Sequence, residues 1–150
     1  MNYITLMTAA LQQAKLAAQL GEVPVGAILA DASGGIIAKS HNLTIKNNDP
    51  TAHAEINVIR EACKKLKTER LKNLTLYVTL EPCPMCATAI SFARIKQVYY
   101  GAYDPKGGGI DHGPYIYDQK TCHHKPAVLG GMMEKECGQV LEDFFKEKRN

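Results

Sequence analysis

Two short stretches carry the residues best able to do chemistry. "TAHAEINVIR" (51–60) places an imidazole, His53, and a carboxylate, Glu55, one residue apart, and "TLEPCPMCATAI" (79–90) places two thiols, Cys83 and Cys86, three apart. Each has an ordinary reading. Asp49 can cap a helix, Pro50 suits its first turn, and Glu55 is a carboxylate near the positive helix end. Cys-x-x-Cys can be a redox pair, half of a structural zinc site, or chance. A redox pair has no need of the His-Ala-Glu element. A structural zinc needs four ligands, and its other half would come from Cys122, His123 and His124, across a gap far longer than the usual spacing. The alternative set is His53, Cys83 and Cys86 with a fourth position left for water, the catalytic pattern of zinc. Such a water needs a base, and Glu55 lies beside His53 in sequence.

These residues need a scaffold to bring them together. Residues 2–20 read as an amphipathic helix with Leu6, Ala9, Ala10, Ala14 and Ala17 on one stripe, stopped by Gly21. "VPVGAILA" (23–30) and "IIAKSHN" (36–42) read as antiparallel strands joined by the turn "DASGG". A helix is predicted from Pro50 to about Leu66, with Ile56, Ile59, Cys63 and Leu66 on its buried face. "LTLYVTL" (74–80) reads as a central strand, "CPMCATAISFA" (83–93) as a helix and "QVYYGA" (97–102) as a strand. A short strand is predicted at Ala127 to Leu129. A final helix, 132–147, would turn Met133, Cys137, Val140, Leu141 and Phe144 inward. Strands separated by helices of this length imply βαβ crossovers and a partly parallel α/β sheet covered on both faces. Ligands of such sheets sit at the carboxyl ends of strands, where Cys83 and Cys86 fall.

Composition sets outer bounds. A chain of 150 residues is expected to form a single domain, 1–150, and can bury a real core. No apolar run reaches the length of a membrane span and no signal peptide is recognisable, so a cytoplasmic protein is expected. Five cysteines, an odd number, argue for metal or free thiols over a disulfide framework. A net charge of +3 permits an RNA partner without demanding one. Its basic residues form two groups, Lys64, Lys65, Lys67, Arg70 and Lys72, and Lys135, Lys146, Lys148 and Arg149, both compatible with solvated helix faces.

Taken jointly, H-A-E followed by P-C-P-M-C matches the H-x-E…P-C-x-x-C pattern of zinc nucleobase deaminases. Nearly end to end, through "GEVPVGAILA", "HN" (41–42), "DPTAHAE", "LTLYVTLEPCPMCA", "YYGAYDPKGG" and "LEDFFKEKR", the sequence resembles bacterial tRNA-specific adenosine deaminases. The resemblance implies a three-layer α/β/α cytidine deaminase-like fold with a mixed five-stranded sheet and helices on both faces. It implies one zinc ion (Zn2+) per chain on His53, Cys83 and Cys86, with Glu55 as proton shuttle. Asn42, Val25, Ala54 and Asp104 would face the substrate, a tRNA anticodon loop, and the chain would form a homodimer. Without the resemblance, Asn42 after a strand reads first as an ordinary turn residue.

The sequence departs from the family after Lys106, where "GGGIDHGPYIYDQKT" adds a His, a Pro and two Tyr, and at His123-His124-Lys125. His112, Tyr115 and Tyr117 could stack on bases or serve core and surface. "EPCPMC" also resembles guanine and some cytosine deaminases. Three functions therefore stand: an RNA-editing adenosine deaminase, a free-base or nucleoside deaminase acting on guanine or cytosine, and a non-catalytic zinc protein that binds RNA.

Overall fold

Side chains that alternate in direction along the central strands, buried on both faces, divide the core into two layers, one on each face of a sheet. In the computed structural model, which describes residues 2–149, the elements run α1 (Tyr3–Gln19), β1 (Gly26–Ala30), β2 (Ile36–His41), α2 (Ala54–Leu66), β3 (Thr75–Leu80), α3 (Pro84–Phe92) and β4 (Gln97–Ala102). A 3-10 turn at Ile116–Asp118 precedes β5 (Ala127–Leu129) and α4 (Glu134–Arg149). The strands form a five-stranded sheet ordered β2-β1-β3-β4-β5. β1 pairs antiparallel with β2 and β3, whereas β3, β4 and β5 run parallel. Ala27, Leu29, Leu76, Val78, Val98 and Tyr100 face α2 and α3; Ile28, Ala30 and Tyr77 face α1 and α4. This is the three-layer α/β/α arrangement expected from the sequence. Among the described residues, no helix is long and apolar enough to cross a membrane.

Element order matches expectation, while several boundaries and faces shift for local reasons. α1 carries its predicted stripe, joined by fully buried Met7 and by Leu11, with Ala9 only half-buried. Gly21, at φ +77°, ends it in a Schellman motif: Gly21 N–H donates to Ala18 O and Glu22 N–H to Ala17 O. β1 begins at Gly26, because Val23 to Val25 form a tight turn in which Val25 N–H donates to Val23 O at 2.8 Å. α4 starts at Glu134 and buries Cys137; Met133, Val140, Leu141 and Phe144 are half-buried. Both basic groups are exposed, apart from the side chain of Arg149, which lies outside the described residues.

The largest correction concerns α2. Asp49 does not cap it: its carboxylate accepts from Thr51 N–H and Thr51 Oγ1, closing a turn before the helix. The helix opens at Ala54, with His53 as its N-cap residue. Its buried side is built on Val58 and Ala62 with Ile56, while Ile59 and Cys63 are half-buried and Leu66 is 43% exposed at the last turn. Glu55, Val58 and Ala62 are spaced three and four apart, so Glu55 belongs to the stripe facing the sheet.

Candidate active site

α2 and α3 start beside one another near the carboxyl end of β3, and each hands over its N-cap residue. His53 and Cys83 occupy those positions in extended backbone, and neither side chain caps its own helix. Their carbonyls start the helical bonding instead, accepting from Asn57 N–H and Ala87 N–H. Freed from capping, His53 Nδ1 lies 3.6 Å from Cys83 Sγ and 3.4 Å from Cys86 Sγ. The ligand-type atoms of the three residues all lie within 4.8 Å of one another. Tetrahedral zinc with Zn–S of about 2.3 Å and Zn–N of about 2.0–2.1 Å needs S···N separations of about 3.6 Å, so this donor set fits the ion. Two helix N-termini aimed at the group favour its thiolates.

Proton affinities differ sharply within the cluster. A hydrogen bond from the Cys86 thiol pulls Cys83 down to about 4, with a further contribution from His53. Cys86 is held well above the usual thiol range, first by donating to Cys83 and second by burial. His53 is raised, chiefly by its hydrogen bond to Cys83. Glu55 is only 4% exposed, and burial pushes its carboxyl up to about 7. A carboxyl near neutrality can both take and give a proton at physiological pH.

A cleft of about 300 Å³ opens in front of these groups, within the range of small-ligand sites and suited to one ring system. His53, Glu55 and Cys83 form part of it, with Leu80, Glu81, Asp104 and Gly107 on one side and Val23, Val25, Asn42 and Thr44 on the other. Among the described residues, neither Lys nor Arg lines it. Asn42 Oδ1 accepts from Ala54 N–H at 2.8 Å, so Asn42 caps α2 in place of His53 while facing the cleft. Val25, Asn42 and Asp104 thus join the chemical residues. Ala54 lies behind them, with no exposed surface, and its N–H is engaged by Asn42.

The other sequence candidates go elsewhere. Cys122 Sγ sits 3.5 Å from Ser91 Oγ, and His124 Nε2 lies 2.7 Å from Ile95 O; both are held by the end of α3 and the segment after it, apart from the His53 group. Tyr117 is a core residue whose hydroxyl donates to Ala87 O, and Tyr115 is 47% exposed. Two residues went unnoticed in the sequence. Glu22 accepts from Thr44 Oγ1 and from Ile45 and Lys46 N–H. Burial alone would raise its pKa, but these donors hold it below the usual carboxylate range. Glu81 behaves likewise: burial opposes ionisation, yet Asp104 N–H, His112 and the N–H groups of Asp111 and Ile110 keep its pKa low. The available signal was a carboxylate inside an apolar stretch, in "GEVPVG" and "LEPC".

A His-Cys-Cys group beside a buried glutamate, on a sheet of this order, defines a hydrolytic deaminase of the cytidine deaminase-like fold. The chain belongs to the MafB19-like deaminase family, whose profile matches residues 1–149. It is 54% identical over 143 residues to the tRNA-specific adenosine deaminase of Agrobacterium fabrum, covering 95% of this chain and 93% of that one. A solved structure from a study of A-to-I editing by tRNA:A34 deaminases at the wobble position superposes with a TM-score of 0.90 at 53% identity, covering 91% of this chain and 99% of its own. A guanine deaminase from Bacillus subtilis is 33% identical with a TM-score of 0.66, covering 100% and 96% respectively.

Proposed function

We propose that the protein converts the wobble adenosine of a tRNA anticodon to inosine, with zinc held by His53, Cys83 and Cys86. The observation that carries this reading is a buried carboxyl beside a zinc-competent donor set in a cleft sized for one base. The described lining, with Val23, Val25 and Leu80 beside the polar Asn42 and Thr44, suits an uncharged ring. High identity to proteins named for tRNA adenosine supports adenine over guanine.

Zinc, when bound, supplies a Lewis acid that lowers the pKa of a coordinated water from ~15.7 towards about 7. The Glu55 carboxylate takes a proton from the water that attacks C6 and delivers it to the ring nitrogen; it then takes the proton of the new C6 hydroxyl and passes it to the amino group, which leaves as ammonia while the C6 carbonyl forms. Asn42 meets the purine edge with the amide that capping Ala54 leaves free, and Val25 walls the ring on the β1 side. Asp104 stands at the opposite wall. The chain acts as one domain and as a homodimer; 72% exposed Phe92 at the end of α3 is the kind of apolar residue a second copy would cover. Sedimentation at micromolar concentration tests this, and a monomer rejects it. A tRNA substrate also implies work in the cytoplasm.

The decisive experiment offers the zinc-loaded protein an anticodon stem-loop with adenosine at the wobble position, guanine, and cytosine. Inosine formed only in RNA is the expected result. Xanthine or uracil instead would assign the free-base reading.

A further inference from the structure

Glu81 is a buried carboxylate that the proton transfers above do not use. It is 2% exposed, yet contributes to the cleft wall. Each of its oxygens has two donors. Oε1 accepts from Asp104 N–H at 3.0 Å and from His112 Nδ1–H at 2.7 Å. Oε2 accepts from Ile110 N–H at 3.2 Å and Asp111 N–H at 2.9 Å. All four donors belong to one segment, 104–112, which leaves β4 and crosses over the turn carrying Cys83.

The segment lies against that turn with no slack. A Cβ on Gly108 would stand 2.4 Å from Glu81 Oε2, and one on Gly109 would stand 2.6 Å from Pro84 N. Gly109 N–H donates to Pro82 O at 2.8 Å. Asp104 and Gly107, which face the cleft, are therefore held at one end by the bond to Asp104 N–H and at the other by Ile110, Asp111 and His112. The metal-ligand turn has its own supports: Glu81 N–H donates to Ala102 O, and Ala87 N–H to Cys83 O. Loss of the Glu81 side-chain bonds would loosen the wall, leaving it the Gly109 N–H bond to Pro82 O, without releasing Cys83.

We infer that Glu81, with His112 as its side-chain partner, is a positioning residue that sets the 104–112 segment as a wall of the cleft and so governs how tightly the base-bearing substrate is held. His112 supplies the side-chain half of the clamp, and the N–H groups of Asp104, Ile110 and Asp111 supply the backbone half. The inference rests on deaminase activity and holds whichever base is the substrate.

The test uses Glu81→Gln and His112→Ala in the zinc-loaded full-length protein. Glutamine matches the shape of glutamate, but its NH2 must face two of the four donors, leaving them without an acceptor. The substrate is whichever of the stem-loop, guanine and cytosine the wild type turns over. Loss of hydrogen bonds to a charged acceptor should raise KM about tenfold or more in Glu81→Gln, and about threefold in His112→Ala, with zinc content and kcat nearly unchanged. Amide hydrogen exchange at Asp104, Ile110 and Asp111 should accelerate in both. Unchanged KM, unchanged exchange, loss of zinc, or a fall in kcat at constant KM overturns the inference. If Glu81→Gln does not fold, His112→Ala, which keeps the three backbone bonds, decides alone. If the wild type turns over none of the three substrates, the proposed function fails, while the exchange measurement still decides whether the clamp exists.

Discussion

α1 and the pair α2 and α3 begin in different ways. At α1 the N-cap Asn2 does ordinary work: its Oδ1 accepts from Thr5 N–H and Thr5 Oγ1. At α2 and α3 the same position is taken by His53 and Cys83, poor cappers whose side chains turn to each other instead. α2 recovers a cap from outside, from Asn42 at the end of β2. α3 relies on Pro84 at its first position, which has no N–H to satisfy. The lesson is that a helix start becomes a ligand platform only when neighbouring groups take over its capping. In this molecule Asn42, which takes over the capping of α2, also forms part of the cleft.

Breaking the platform itself should have the largest effect. Cys83→Ala or Cys86→Ala should remove bound zinc and reduce deamination to background, measured by metal analysis and by product formation; full activity in either variant would reject the donor set. Glu55→Gln comes next. It leaves the donors in place, so zinc should remain while kcat falls by about 10²–10⁴, the usual scale for a lost general acid–base group. Zinc loss in this variant would contradict its role as shuttle.

Asn42 separates capping from substrate contact. Asn42→Ala strands the buried Ala54 N–H and should cost about 1–3 kcal/mol in denaturant unfolding, together with activity. Asn42→Asp keeps an acceptor for Ala54 but loses the amide donor. It should recover most of that stability and still raise KM; recovered stability with an unchanged KM would leave Asn42 as a cap alone. The smallest effect belongs to α1. Asn2→Ala should cost about 0.5–2 kcal/mol of stability and leave kcat and KM unchanged, since its cap faces solvent far from the cleft.

The grouping of His53, Cys83 and Cys86, which could hold a metal ion, was legible in the sequence together with Glu55, because zinc chemistry demands few residue types and these stand in short, well-separated motifs. The strands and helices were equally legible, from the two apolar periods and from Gly and Pro at their ends. What misled was local plausibility. Asp49 beside Pro50 resembles a helix cap, but Thr51 captures its carboxylate first. Ile56, Ile59, Cys63 and Leu66 make a reasonable stripe, but α2 is oriented by Val58 and Ala62 packing on the sheet. Between the alternatives the sequence left for Tyr117, the structure selects the core, and His124 is engaged by Ile95 O, away from the His53 group.

By itself, then, the sequence determined the order of elements, the donor set, and the chemistry those donors permit, because these follow from residue type and short spacing. Tertiary structure decided which side chains had hands free. His53 and Cys83 are released from capping, Asn42 is recruited to it, and Glu22 and Glu81 are committed to loops that wall the cleft. Those choices depend on partners from 12 to 31 residues away in the chain, brought within hydrogen-bond reach only when the sheet has formed. A buried carboxylate is tolerable only where such donors converge, and no pattern of neighbours along the chain specifies that convergence.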